Sequence, residues 1–265
     1  MDQHTSSHPS NLPTREEAAK LKEQQQPKPV PKDTMIREFF YPTPIYFFDH
    51  PTALTTNDRI KKNVDEWEKR DTDGIIRSNS LGWHSAVDMH NRSEYNHITK
   101  WIFDKVQDVF DDQGYDPEYE PWCDNMWANI NKRYSHNRNH THPGCLWSGV
   151  YYIQAPKDSG RIWFTDPRGE AHMLVPRYEN QRSSNTWREV FYEPIAGRLI
   201  IFPSWLMHEV EPNLNKEYED ENDTRGWRYS ISFNLGQRLT PGAEAPKEAK
   251  GHSSGGVIHL KDLKD

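Results

Sequence analysis

The sequence predicts an α+β domain in which helices flank a β-sandwich or jelly-roll core. Three observations predict it. Two stretches with helical spacing of apolar residues lie before residue 115. From about residue 122 the spacing changes to two, in short runs separated by Pro, Gly and Asn. Helices followed by a series of short strands, with no internal repeat, fit antiparallel sheets better than alternating βαβ units.

The first helix is expected over "TNDRIKKNVDEWEKRD", which sets Ile60, Val64 and Trp67 on one face, with Thr56 or Asn57 as its cap. The second is expected over "NRSEYNHITKWIFDKVQDVFDDQG". It carries a stripe of Ile98, Trp101, Ile102, Val106, Val109 and Phe110 and stops at Gly114. An apolar run broken by prolines, "MIREFFYPTPIYFFD", marks where the fold begins. The strands are "MWANINKRY", "WSGVYYIQAP", "GRIWFTDPRG", "EVFYEPIAG", "GRLIIFPSW" and "WRYSISFNL". Between the last two lies an acidic stretch, "EPNLNKEYEDENDTRG", expected as an exposed loop whose residues 216–223 could also cover a pocket.

Residues 1–33 are rich in Gln, Pro, Lys, Glu and Ser and nearly free of aromatics, which predicts a tail, with a short helix conceivable where Thr14 and Glu17 resemble a capping box. Residues 241–265 read as a frayed C-terminal tail. Only 34% of the chain is hydrophobic, so its ten Trp, twelve Tyr and ten Phe must carry much of the burial. A net charge of −7 gives no support for a nucleic-acid partner. Two cysteines make no disulfide framework, no apolar run reaches membrane-spanning length, and the N-terminal segment has no secretory apolar region. A cytoplasmic protein is the expectation. The oligomeric state is not readable.

The chemistry concentrates in "NHTHPGCLWSGVYYI". If 139–143 is extended, His140 and His142 project to one face, and two imidazoles there can share a divalent metal. His208, which leads "HEVEP" after an apolar strand, is the best third ligand. In "RYSISFNL", period two puts Arg228, Ser230, Ser232 and Asn234 on one face and Tyr229, Ile231 and Phe233 on the other. The polar face should line a pocket. A buried arginine is costly unless an anion pairs with it, which implies a carboxylate guest. His84, His90, His97 and His172 have no comparable setting, and His136 reads as solvated or as a supporting residue.

Together, "HTHPGCLWSGVYYI", "IWFTDPRG", "GRLIIFPSWLMHEV" and "RYSISFNL" resemble the iron(II)- and 2-oxoglutarate-dependent oxygenases, closest to the prolyl-hydroxylase-like branch and to a family known mostly from bacterial and phage sequences. The similarity covers roughly residues 122–236. It implies a double-stranded β-helix (jelly roll) over about 122–236, a helical flank over about 55–115, and a single oxygenase domain over 34–240. If the gene is phage-borne, the compartment is the host cytoplasm. The resemblance also implies Fe(II), 2-oxoglutarate and O2 as cofactor and co-substrates, and a small-molecule or peptide substrate. Residue by residue, His140, His142 and His208 take the metal positions, Arg228 the arginine facing the 5-carboxylate, and Ser232 and Tyr152 the positions that assist it. One position departs from the family pattern: the usual carboxylate ligand is His142 here. Either the triad is all histidine or a carboxylate arrives from elsewhere, Asp166 being the substitute. That departure keeps two further functions open, a jelly-roll ligand-binding protein without catalysis and a three-histidine dioxygenase that uses no 2-oxo acid.

Overall fold

The computed structural model describes residues 41–179, 183–218, 220 and 222–243. The N-terminal tail, its conceivable capping box and most of the C-terminal tail lie outside the described residues.

Within the unit from Thr43 onward, strand β1 (Tyr46–Asp49) leads into helix α1 (Ala53–Arg70). Two short strands follow, β2 (Asn79–Ser80) and β3 (Trp83–His84), then helix α2 (Asn96–Asp112). The remaining strands are β4 (Tyr119–Asn131), β5 (His136–His140), β6 (Trp147–Gln154), β7 (Ile162–Thr165), β8 (Glu189–Tyr192), β9 (Arg198–Pro203), β10 (His208–Val210) and β11 (Arg228–Leu239). They form two antiparallel sheets. The larger runs β1-β9-β6-β11-β4-β3 and the smaller runs β2-β5-β10-β7-β8.

Layering follows from the alternation along each strand. Tyr229, Ile231 and Phe233 of β11 pack into a core with Ile60, Val64 and Trp67 of α1 and Ile98, Ile102 and Val106 of α2. The opposite face of the large sheet presents Val150, Tyr152, Ile200 and Phe202 to Ile162 and Phe164 of the small sheet. The result is helices on one face and a second sheet on the other, as expected for a jelly roll with a helical flank.

The helices differ from expectation at their starts. Helix α1 begins at Ala53 rather than at a Thr56 or Asn57 cap, because Asn57 is used elsewhere. It is buried inside the helix, where its side-chain amide donates to the Ile153 carbonyl at 2.8 Å and its oxygen accepts from the Tyr151 hydroxyl at 2.6 Å. A polar side chain that reads locally as a cap satisfies the sheet behind it instead. Helix α2 begins at Asn96, with residues 93–95 as a 3₁₀ turn ahead of it, and Gly114 follows it at φ 66°. Among the described residues no helix is long and apolar enough to cross a membrane.

Gly149 on β6 lies where the sheet meets the helical core. A Cβ there would come within 2.3 Å of the Phe233 ring, so only glycine allows β6 and β11 their spacing at this point.

Candidate active site

β5 and β10 are antiparallel neighbours, and their register sets His140 opposite His208. The two rings stand 4.3 Å apart, centroid to centroid. β5 ends at His140, so the stretch 139–143 is not one strand as expected. The backbone N–H of His142 instead donates to the Ser204 carbonyl at 2.9 Å, which ties it to the turn after β9. That tie brings the His142 ring to 4.9 Å from His140 and 5.1 Å from His208. One nitrogen from each of the three rings lies within 4.8 Å of the others.

Hydrogen bonds behind two of the rings fix their tautomers. His140 Nδ1 donates to the Arg138 carbonyl at 2.6 Å, and His208 Nδ1 donates to the Leu206 carbonyl at 2.8 Å. A carbonyl can only accept, so Nδ1 carries the proton in both rings and Nε2 is left unprotonated, the state in which it can ligate a metal. His142 is held more loosely. Its Nδ1 faces the Asn234 side-chain amide at 3.3 Å, and no carbonyl sets its tautomer. Burial pushes the imidazoles toward the neutral form, His208 down to about 3 and His142 down to about 4, with the neighbouring histidines adding to the effect. His140 is lowered for the same reason, against a backbone hydrogen bond that raises it. Three neutral imidazoles within reach of one point fit a divalent transition metal.

Arg228 is fully enclosed, with 2% of its surface exposed. Its Nη1 donates to the carbonyls of Ser159 and of Gly160, the latter at 2.9 Å. Nη2 and Nε have no partner among the described residues, and no carboxylate pairs with the guanidinium. Burial lowers its pKa to about 10, while Tyr152 and Glu211 act the other way. Tyr152, itself buried and with its phenol pushed up to about 12, lies across β6 from Ser230 on β11 in the sheet register. A buried cation with two free donors beside a protonated phenol fits an incoming carboxylate.

Both groups line a cavity of about 650 Å³ between the sheets. Arg228, Ser230, Ser232 and Asn234 all face it, as the alternation predicts. Ser232 accepts from the Asn129 amide at 3.1 Å. Ser230 lies between Arg228 and Ser232 on the same face and is buried, which makes it the nearer hydroxyl along the strand to Arg228; the sequence reading passed over it for that role.

Asp166 is not among the converging ligand atoms. It is engaged by Arg168 at 2.7 and 2.9 Å and by His172 at 3.0 Å, and these partners, Arg168 foremost, hold its carboxyl far below the usual range. His172, read as ordinary, is therefore an ion-pair partner when protonated. His84, also read as ordinary, lines the cavity and stacks on Trp127 at 5.0 Å and 9°. Its position in β3, opposite Asn129 of β4, could not be read from a two-residue strand. Among the described residues of the acidic stretch 216–223, none lines the cavity.

Residues 125–234 match a family model described as "Putative 2OG-Fe(II) oxygenase". That segment, which holds all three histidines and Arg228, is similar to the 2-oxoglutarate- and iron(II)-dependent oxygenases. The chain has a jelly-roll fold. SnoK, a non-haem α-ketoglutarate-dependent carbocyclase from nogalamycin biosynthesis, superposes with a TM-score of 0.51 at 10% identity, over 76% of this chain and 83% of that one. A Pseudomonas putida prolyl-4-hydroxylase gives a TM-score of 0.46 at 15% identity, over 73% and 92%. A Trichoplax adhaerens prolyl hydroxylase, solved with a hypoxia inducible factor peptide fragment, gives 0.48 at 14%, over 72% and 83%. Comparison with curated protein sequences gives no match. The family match selects the oxygenase over a binding protein without catalysis. It also makes Fe(II), 2-oxoglutarate and O2 the oxygenase's cofactor and co-substrates.

Proposed function

We propose that the oxygenase hydroxylates a small-molecule or peptide substrate at a centre where His140, His142 and His208 hold the iron. In this reading Arg228 takes the 5-carboxylate of 2-oxoglutarate, with Tyr152, Ser230 and Ser232 around it. The observation that carries it is the convergence of three neutral imidazoles and one unpaired, buried guanidinium on a single cavity.

Bound together, iron and 2-oxoglutarate supply the oxidising power that puts one atom of O2 into a substrate C–H bond and the other into succinate, with release of CO2. The chain's own part is positioning. The Arg138 and Leu206 carbonyls aim the Nε2 atoms of His140 and His208 at the metal position. Ser159 and Gly160 hold Nη1 of Arg228, so its remaining donors are directed without further loss of freedom. Val150, Ile162 and Phe202 give the cavity an apolar side that excludes water. With His142 in the carboxylate position, the ligand set carries no negative charge. The metal's charge is then offset by 2-oxoglutarate alone, and no protein carboxylate competes with it.

The test is oxygen-dependent succinate release by the purified, iron-loaded protein, alongside 2-oxoglutarate binding in the absence of oxygen. Succinate above the metal-free control is expected. Failure of 2-oxoglutarate either to bind or to be turned over would overturn the reading.

A further inference from the structure

The cavity is positively biased in a chain whose net charge is −7. Arg77, Arg138 and Arg228 line it, and among the described residues no aspartate or glutamate does. Some arginines elsewhere are matched with acids at short range, Arg161 with Glu211, Arg198 with Asp49, Arg225 with Asp223 and Arg238 with Glu120. Others, such as Arg59 and Arg188, have no such match among the described residues, so it is the position of Arg77 and Arg138 on an acid-free cavity that counts. Arg77 and Arg138 have no such partner among the described residues. Both are exposed, so they stand on the solvent side of the cavity, whereas Arg228 lies within.

Their backbones are pinned beside the histidines. Arg138 sits two residues before His140 on β5, within an irregularity of its register with β10; both residues line the cavity, and the Arg138 carbonyl holds the His140 ring. Arg77 precedes Ser78, whose hydroxyl is 3.4 Å from His140 Nε2, and its own N–H donates to Asn79 Oδ1 at 2.6 Å. The Arg77 charge also reaches inward, adding to the burial that keeps His84 neutral. The wall opposite is polar and uncharged, with Asn125, Asn129 and Asn131 of β4 facing Ser230 and Asn234 of β11.

Charge decides what fits. A divalent metal on three neutral imidazoles and the Arg228 guanidinium together exceed the two negative charges of 2-oxoglutarate. An excess of positive charge therefore remains inside a partly dry cavity, before Arg77 and Arg138 are added. Low-dielectric walls focus that field and favour an anion over a neutral guest. We propose that the substrate is a small polar acid whose carboxylate or phosphate is taken by Arg77 and Arg138, with its reacting carbon turned toward the three histidines. This rests on the oxygenase reading above and names the substrate class of the same site.

The test uses the full chain loaded with Zn(II), which is redox-inert and diamagnetic, and saturated with 2-oxoglutarate so that Arg228 is already engaged. Acetate and sulfate are titrated separately at constant ionic strength, with acetamide as the uncharged isostere of acetate. The side-chain Nε–H signals of Arg77, Arg138 and Arg228 are followed by NMR and assigned by their loss in Arg77→Gln, Arg138→Gln and Arg228→Gln. A saturable shift of the Arg77 and Arg138 signals with acetate marks a carboxylate site, and a larger one with sulfate marks a phosphate-like site. Acetamide should leave both signals in place, and Arg77→Gln/Arg138→Gln should weaken anion binding at least tenfold while 2-oxoglutarate affinity stays unchanged. Equal responses to acetate and acetamide, or anion affinity unaltered in the double variant, would overturn the proposal. An Arg228 signal that ignores 2-oxoglutarate would instead count against the oxygenase site, and Arg77 and Arg138 could still be judged from their own signals in the same samples.

Discussion

His208 and His140 stand directly opposite one another on adjacent antiparallel strands, and each ring is turned by a carbonyl of its own strand or turn. A cross-strand pair of this kind is held by the sheet's hydrogen bonds, so its geometry is set before any metal arrives. His142 lies outside the strand and has only an amide contact behind it. The three positions should therefore be unequal. His208→Ala is expected to lower Fe(II) affinity well beyond the 10–100-fold typical of losing a supporting hydrogen bond, and His142→Ala to lower it less. Metal content after equilibrium dialysis checks the order. Equal losses, or a larger loss at position 142, would contradict it.

Arg228→Gln should separate the co-substrate from the metal. A charge-assisted hydrogen bond contributes about 1.5–3 kcal/mol, so losing the fork should weaken 2-oxoglutarate binding by roughly 100-fold. The histidine cluster does not depend on Arg228 for any hydrogen bond, so Fe(II) binding should be unchanged. Arg228→Lys should recover only part of the affinity, because an ammonium cannot make two parallel bonds. Calorimetry with 2-oxoglutarate in the absence of oxygen distinguishes these outcomes.

Neighbouring strands explain what could be read from the sequence and what could not. The polar and apolar faces of "RYSISFNL" are legible because period two holds in a strand buried on both sides: Arg228, Ser230, Ser232 and Asn234 line the cavity and Tyr229 and Ile231 pack in the helical core, while Phe233 packs in that core and also reaches the cavity. The helix stripes are legible for the same reason at period 3.6. The contribution of β2 and β3 is not: Ser78, His84 and Arg77 reach the cavity only through pairing of two-residue strands with β5 and β4, and such segments carry no pattern. Asn57 misled because its partners, Tyr151 and Ile153, lie far along the chain. The role of Ser230 was obscured differently, since it lies in the right pattern but only the register with Tyr152 distinguishes it from Ser232.

Gly160 and Gly242 offer a matched pair. Both have φ in the left-handed region, 98° and 93°. A Cβ at Gly160 would lie 2.2 Å from the Glu211 carbonyl oxygen and 2.6 Å from Arg228 Nη1, while a Cβ at Gly242 would meet nothing within 4 Å. Backbone strain costs on the order of 1–3 kcal/mol at either site. Gly160→Ala should cost more than Gly242→Ala, as judged by urea midpoints. Because the clash displaces Arg228, it alone should also weaken 2-oxoglutarate binding. Similar midpoints for the two variants would mean that the turn at Gly160 yields easily.

The metal-free protein should lose stability as the solution is acidified, and His208 should account for a measurable share. Its pKa falls from an ordinary 6.5 to about 3 in the fold, chiefly through burial. Above pH 6.5 the ring is neutral whether the chain is folded or not, and His208 adds no pH dependence. Between 6.5 and about 3 the unfolded chain binds a proton that the fold refuses, so stability declines through that window. At pH 5 the loss from this one group is about 2 kcal/mol. His50, His84, His90 and His97 are lowered as well, so the measurement compares wild type with His208→Leu at pH 7.5, 6 and 5. The variant should show a shallower decline in unfolding free energy than the wild type. Parallel curves would mean that His208 accepts its proton in the folded state without penalty, and that its ring is not enclosed as the packing against Phe164 and Phe202 requires.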